Sequence, residues 1–382
     1  MRKYYQINLP AVVVLILGFC SSAYGQSAPA NVVKFKLEDY GWQAPPREPS
    51  GELGGDQSRL VAIDHQGRIL LGFTTRENDR LATREHPGLS FHISRFTKHG
   101  ELDLALVLPT NNLYTNGLYL GSNDQIIARS NDTLQWMSEE TGIHNQSPIW
   151  QVLAPCPSAC HLSQSPSRDT LIVRGPRESG HFSYVILDTT SSVPHAARTC
   201  LWIALEAQTI TDKFAYQSTD GIRFDARRWP LCEREHDTEL TLDMRNGMIR
   251  PLSDEVFLLL GTGKERRGVE LVAADGQLKF QHEMPKHDIV APETIRTDER
   301  GNRFAFTVET WRGGSKALDI SGKIVSRRVV VFSESGEQLA SVQVNPLYNP
   351  LRYQRDFDFA LSPDGRRLAV LDAGLLTVID IQ

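Results

Sequence analysis

One strand–turn–strand layout recurs along this chain of 382 residues. Its turns centre on Gly67, Asp124, Asp169, Asp212, Asp254, Gly301 and Gly365, so successive steps are 57, 45, 43, 42, 47 and 64 residues. Each turn is flanked by short apolar runs, as in VAIDHQGRILLGF around Gly67 and TIRTDERGNRFAFTV around Gly301. A unit of this kind cannot bury both faces of its own sheet and must stack on its neighbours. A period of about 40 to 50 residues with four short strands per unit is the spacing of a propeller blade. Third strands follow at Leu89–Thr97, Thr133–Met137, Phe182–Leu187, Ile222–Ala226, Val269–Ala273, Arg328–Phe332 and Leu375–Ile381. Fourth strands, such as Leu102–Leu108 and Gln338–Val344, are expected in the first six units.

The seventh unit stops after its third strand. The segment Val32–Leu37 is the natural strand to complete it, which would join the two ends of the chain and remove an exposed edge. The expectation is an all-β, seven-bladed β-propeller, one domain over residues 26–382, with an N-terminal strand closing the last blade. Six or eight blades are the alternatives, because the widest steps contain segments read as insertions. A pair of β-sandwiches would also satisfy the alternation of strands.

The last unit is the clearest. Ser362-Pro363-Asp364-Gly365 supplies a fixed φ followed by residues that tolerate positive φ, which is hairpin chemistry. With Phe359, Leu368, Ala369 and Val370, this unit resembles the WD40-like and TolB-type β-propeller repeats of exported bacterial proteins. The resemblance is specific in this unit and a pattern only in the other six, none of which carries the Gly-His and Trp-Asp signatures of WD40 units.

The N-terminus reads as a signal peptide over residues 1–25. Arg2 and Lys3 precede the apolar run Leu9–Cys20, and small residues precede a cut before Gln26. That run is shorter than the roughly 20 residues of a bilayer-spanning helix, so no span is expected after cleavage. Cys20 suggests lipidation, but Phe19 occupies the place of a small residue. The formal charge of −5 becomes −7 once Arg2 and Lys3 are removed, and no basic excess exists to drive nucleic-acid binding. Four cysteines then remain: Cys156, Cys160, Cys200 and Cys232. An even number in an exported chain suggests disulfides. Three connectivities are open, of which Cys156–Cys160 with Cys200–Cys232 is favoured by proximity and strand placement. Export to the periplasm or the extracellular space follows from these features.

The long connections are of two kinds. Thr74–Gly88, Thr262–Gly268 and Glu309–Arg327 join second to third strands. Pro109–Gly117, Glu139–Pro155, His282–Glu293 and Asn345–Asp356 join successive units. In a propeller both kinds emerge on one face, and elaboration confined to one face builds a binding surface. These segments carry Arg76, Arg80, Arg84, Tyr114, Lys264, Arg266, Arg267, Trp311, Arg312, Tyr348, Arg352, Tyr353 and Arg355. Aromatic and Arg side chains supply planar contact and bidentate hydrogen bonds. The ligand expected is a protein, or a carbohydrate or other anionic molecule, and no cofactor is expected.

Other motifs carry less. Cys156-Pro-Ser-Ala-Cys160-His161 is similar to a c-type haem site lengthened by one residue, and reads more simply as a small disulfide loop. His282 and His287 are five apart with Pro285 between them, which defeats the helical zinc motif. Gly261-Thr262-Gly263-Lys264 lacks the upstream glycine and following helix of a phosphate loop. No Gly-x-Ser-x-Gly elbow is present. Asp356 and Asp358 share one side of a strand and could ring a channel-bound divalent ion, as in propeller lactonases. The leading function is therefore a noncatalytic binding scaffold. A metal-dependent hydrolase or lactonase is the alternative, and a redox protein using Cys156, Cys160 and His161 a minor one.

Overall fold

The computed structural model describes residues 32–36, 39, 60–76, 89–110, 117–130, 133–138, 149–155, 161–178, 181–191, 193–203, 209–218, 226–232, 238–240, 247–262, 267–285, 288–312, 323–344, 357–372 and 374–382. Residues 1–25, read as a signal peptide, and Cys156 and Cys160 lie outside them.

Hydrogen-bond pairing gathers the strands into seven four-stranded sheets. Sheets 1 to 6 span residues 61–110, 117–155, 161–203, 209–240, 247–283 and 288–344, each with its strands in chain order. Sheet 7 holds the three strands of 357–380 and adds Val32–Lys36 as its fourth. That strand pairs antiparallel with Leu375–Asp380 in the register Val32↔Ile379 to Lys36↔Leu375. The closing strand therefore lies where the sequence placed it.

The arrangement is an all-β propeller. Six sheets trace as a ring, one fewer than the seven blades expected and equal to the six-bladed alternative, whereas strand pairing counts seven sheets. Two other expectations change. Residues Ile149–Pro155, read as part of a long connection between units, form the fourth strand of sheet 2. Residues 139–148 thus join third to fourth strands and leave the sheet at the end opposite to the one expected. In sheet 4 the third strand is Ala226–Pro230 rather than Ile222–Ala226.

Local chemistry explains the first turns. Asp64 Oδ1 accepts from the backbone N–H of Gln66 at 3.0 Å and of Arg68 at 2.8 Å, while Gly67 sits at φ 74°. In sheet 7, Ser362 Oγ donates to Asp364 Oδ1 at 2.6 Å and accepts from Arg367 N at 2.8 Å around Gly365. An Asp or Ser at the start of such a turn ties down the backbone of the residues that follow.

The core lies between sheets. Alternating residues of each strand point to opposite faces, and both faces are buried. One apolar cluster joins Leu71 and Phe96 of sheet 1 to Leu371 and Val378 of sheet 7. Another joins Phe91 of sheet 1 to Leu118 of sheet 2, and a third Trp136 of sheet 2 to Leu187 of sheet 3. Tyr184 meets Trp229 between sheets 3 and 4, and Tyr216 meets Phe257 between sheets 4 and 5. Leu260 meets Phe306 between sheets 5 and 6, and Val331 meets Phe359 between sheets 6 and 7. Each interface buries aromatic and branched side chains, for which truncation to Ala typically costs about 2–5 kcal/mol.

Candidate functional site

The first turns of the sheets meet one another, which fixes the direction of every first strand and defines a turn face. Second strands run back from it and end on the opposite face. Arg76 ends the second strand of sheet 1, pairing with Leu89. Trp311 and Arg312 end that of sheet 6, opposite Ile324 and Lys323. Arg267 opens the third strand of sheet 5 opposite Thr262. These backbone positions share the face expected to bind. Arg312 is exposed, and the Trp311 indole Nε1 is buried with no hydrogen-bond partner among the described residues. Arg80, Arg84, Tyr114, Lys264, Arg266, Tyr348, Arg352, Tyr353 and Arg355 lie outside the described residues, so only Trp311 and Arg312 are brought together with side chains in view.

The best-defined polar constellation lies at the centre of the turn face. His65, in the first turn of sheet 1, has Nδ1 at 2.8 Å from Asp124 Oδ1 of sheet 2. Its Nε2 is 3.0 Å from Glu299 Oε2 of sheet 6. The His65 backbone N–H also donates to the Asp124 carboxylate, at 3.0 and 3.2 Å. Arg168 of sheet 3 donates through a terminal nitrogen to the Ile63 carbonyl of sheet 1 at 2.9 Å, and its Nε lies 3.8 Å from Glu299 Oε1. Sheets 1 and 6, and sheets 3 and 6, are not sequential neighbours, so these contacts cross the central channel. Burial lowers the affinity of the Arg168 guanidinium for its proton, against the pull of Glu299, Asp124 and Asp64. His65 moves the other way: burial opposes its charge, but Asp124 and Glu299 together raise its pKa above the ordinary 6.5.

Around this centre further bonds tie neighbouring turns. Ser167 Oγ donates to Asp212 at 2.7 and 2.8 Å, and Lys213 lies 3.5 Å from Asp254. The Glu299 N–H donates to the Pro363 carbonyl at 3.1 Å, and Arg367 donates to the Gly67 carbonyl at 2.9 Å. Sequence reading marked the turns but missed this network. A cue existed in the turn residues: Asp124 and Arg168 take positive φ (61° and 68°) without being glycine. The turn expected at Asp169 has Arg168 at that position.

Asp358, read from the sequence as one of a carboxylate pair, has its acceptor positions filled. It is buried, and its Oδ2 accepts from the N–H of Leu60 at 2.6 Å and of Val61 at 3.0 Å. Its Oδ1 accepts from Arg296 at 2.9 Å and from the Phe359 N–H at 2.8 Å. Four donors saturate the carboxylate, and Arg296 also lies over the Phe359 ring. The group holds the inner strands of sheets 6, 7 and 1 together. Asp356 lies outside the described residues. Among the described residues no cluster of three His, Cys, Asp or Glu could hold a metal ion, and no helix is long and apolar enough to cross a membrane.

Cys200 and Cys232 form a disulfide, with Cα atoms 5.7 Å apart. It links the outer strand of sheet 3 to the third-to-fourth-strand turn of sheet 4. His161 opens the inner strand His161–Gln164, opposite Arg174. His282, expected in the connection His282–Glu293, lies in the strand Leu278–Glu283 with its ring 4.8 Å from Phe332; burial and the nearby Arg328 lower its pKa.

No protein-family model matches this chain, and no curated protein does. Among solved structures, a chain of the crystal structure of the mitotic checkpoint complex is 12% identical, with a TM-score of 0.46, over 96% of this chain and 100% of that one. A chain of Kuenenia stuttgartiensis hydrazine synthase is 16% identical, with a TM-score of 0.40, over 66% and 72%. At this level of likeness the fold rests on the strand pairing itself.

Proposed function

We propose that this chain is an exported, noncatalytic β-propeller of seven blades that binds a protein or an anionic carbohydrate through the face opposite its first turns. The observation that carries this reading is the asymmetry of the two ends, to which the connection 139–148 at the turn end is an exception. The first turns are short and bonded to one another around the channel. At the other end the connections 77–88 and 345–356 leave the sheets, carrying Arg80, Arg84, Tyr348, Arg352, Tyr353 and Arg355. A surface meant for recognition is elaborated on a rigid scaffold in this way.

The seven-blade count is supported by the apolar clusters, which join each sheet to the next and sheet 7 back to sheet 1. Export is supported by the signal-like segment of residues 1–25 and by the Cys200–Cys232 bond, which suits an oxidising compartment. The metal-dependent hydrolase reading loses Asp358, whose acceptor positions are filled.

The test is a binding screen of the purified mature chain against anionic oligosaccharides and peptides, followed by titration of the hits. Trp311→Ala with Arg312→Ala should weaken binding at least about tenfold, the scale of a lost anchor contact. Binding that survives this double change, or turnover of a lactone that requires added divalent ion, would overturn the proposal.

A further inference from the structure

The polar constellation at the turn face has a feature that binding at the other face does not use. One imidazole stands between two carboxylates that come from two other sheets. A neutral imidazole carries one N–H and one lone pair, so it can donate to only one of them. Both nitrogens are within hydrogen-bond distance of a carboxylate oxygen, at 2.8 and 3.0 Å. With both carboxylates ionised, only the imidazolium can donate to the two of them together.

The two ties differ in kind. Asp124 also accepts from the His65 backbone N–H, so its link to sheet 1 survives loss of the ring proton. Glu299 has no such second hold on His65. Its Oε1 is buried with no hydrogen-bond partner among the described residues, and Arg168 stands 3.8 Å away. The proton at Nε2 therefore makes the direct hydrogen bond from sheet 1 to sheet 6, beside the longer bridge through Arg168.

We propose that His65 is a pH-operated bolt: protonated, it locks the turn of sheet 6 to those of sheets 1 and 2 across the channel, and loss of the Nε2 proton frees Glu299 and loosens that end of the ring. The neighbouring charges fit this role. Asp64 and Arg68 of the same turn pair with each other at 2.5 Å. Asp298 is turned to its own loop, accepting from Asn302 N, and Asp364 to Ser362. The centre thus holds His65, Arg68 and Arg168 against Asp64, Asp124 and Glu299. It is balanced while His65 is charged and carries an excess negative charge once it is not, with a lone pair facing Glu299. At 41% side-chain exposure, His65 can exchange its proton with solvent without prior unfolding.

The sign follows from linkage. A pKa raised on folding contributes stability that is complete below about 6.5 and is lost as pH rises through the raised value. Expected results come from the full mature chain. The His65 ring resonances should titrate with a midpoint above 6.5, and the midpoint should fall in Glu299→Gln. Protection of the Glu299 amide, which donates to Pro363, should drop at least about tenfold between roughly pH 6 and 8.5 after correction for intrinsic exchange. In Glu299→Gln the amide side chain can donate to a neutral imidazole, so that drop should disappear. A wild-type midpoint at or below 6.5, or the same protection profile in wild type and Glu299→Gln, would overturn the proposal. The ring titration is measured on the wild-type chain, so it decides the matter even if a variant folds poorly.

Discussion

Asp358 shows how one buried carboxylate changes meaning once its donors are known. In the sequence it alternates with Phe357 and Phe359, and a pair with Asp356 invites a metal reading. In the fold it collects Leu60 N, Val61 N, Phe359 N and Arg296. Alternation along a strand is legible from sequence, but the identity of the neighbouring blade is not, because Leu60 lies 298 residues away. Removing one member of a buried ion pair leaves the other charge without compensation, at about 3–5 kcal/mol. Asp358→Ala should therefore lower the unfolding free energy from urea titration by that amount. Asp358→Asn, which keeps the shape, should cost less. An unfolding free energy for Asp358→Ala within about 0.5 kcal/mol of wild type would show that Arg296 finds another acceptor.

A second kind of lock repeats where outer strands meet the next sheet. Phe35, on the closing strand, packs on Phe96 at 5.9 Å and lies over Gly100, the positive-φ residue in the third-to-fourth-strand turn of sheet 1. Phe280 of sheet 5 lies the same way over Gly336 of sheet 6. Between sheets 3 and 4 the equivalent positive-φ position is Cys232, φ 69°, and the partner on the outer strand is Cys200. The disulfide stands where the other two boundaries use an aromatic ring on a glycine. A Cβ at Gly336 would lie 2.2 Å from Phe280 Cδ2 at φ +84°, so both sterics and backbone oppose it. Gly336→Ala should cost more than about 1 kcal/mol. Combining it with Phe280→Leu should recover part of the loss, read as coupling in a double-mutant cycle. Cys200→Ser with Cys232→Ser opens a sequence separation of 32 residues and should cost about 3–4 kcal/mol on the chain-entropy account. Thermal melts with and without reductant should differ more for wild type than for the double variant. The two cysteines were pairable from spacing and strand placement, but the αL role of Cys232 was not, since nothing in Leu-Cys-Glu marks a turn as Ser-Pro-Asp-Gly does. For the same reason the strand Ile149–Pro155 was read as a connection: its run IWQVLAP follows a polar stretch and lacks a turn signature on the side where sheet 2 pairs it.

At the scale of the molecule, the ring depends on the strand farthest in sequence from the sheet it completes. Val32–Lys36 supplies the last ladder of sheet 7 and, through Phe35, part of the apolar cluster between sheets 7 and 1. Its legibility came from arithmetic: the last unit had three strands and the chain had an unassigned apolar segment near its start. What arithmetic could not supply was the centre of the turn face, because residues from sheets 1, 2, 3 and 6 converge there only after closure. Starting the chain at residue 38 should expose the backbone of Leu375–Asp380 as an unpaired edge beside Val378 and Phe96. An exposed apolar edge recruits another strand, so the truncated chain should form concentration-dependent oligomers on size exclusion and melt below the intact protein. A synthetic peptide covering Val32–Leu37 should restore the monomer when added in excess, since its register is specified by the alternation of exposed and half-buried residues along the strand. A truncated chain that stays monomeric and melts with the intact protein would show that the ring closes through side-chain packing between sheets 7 and 1 without the final ladder.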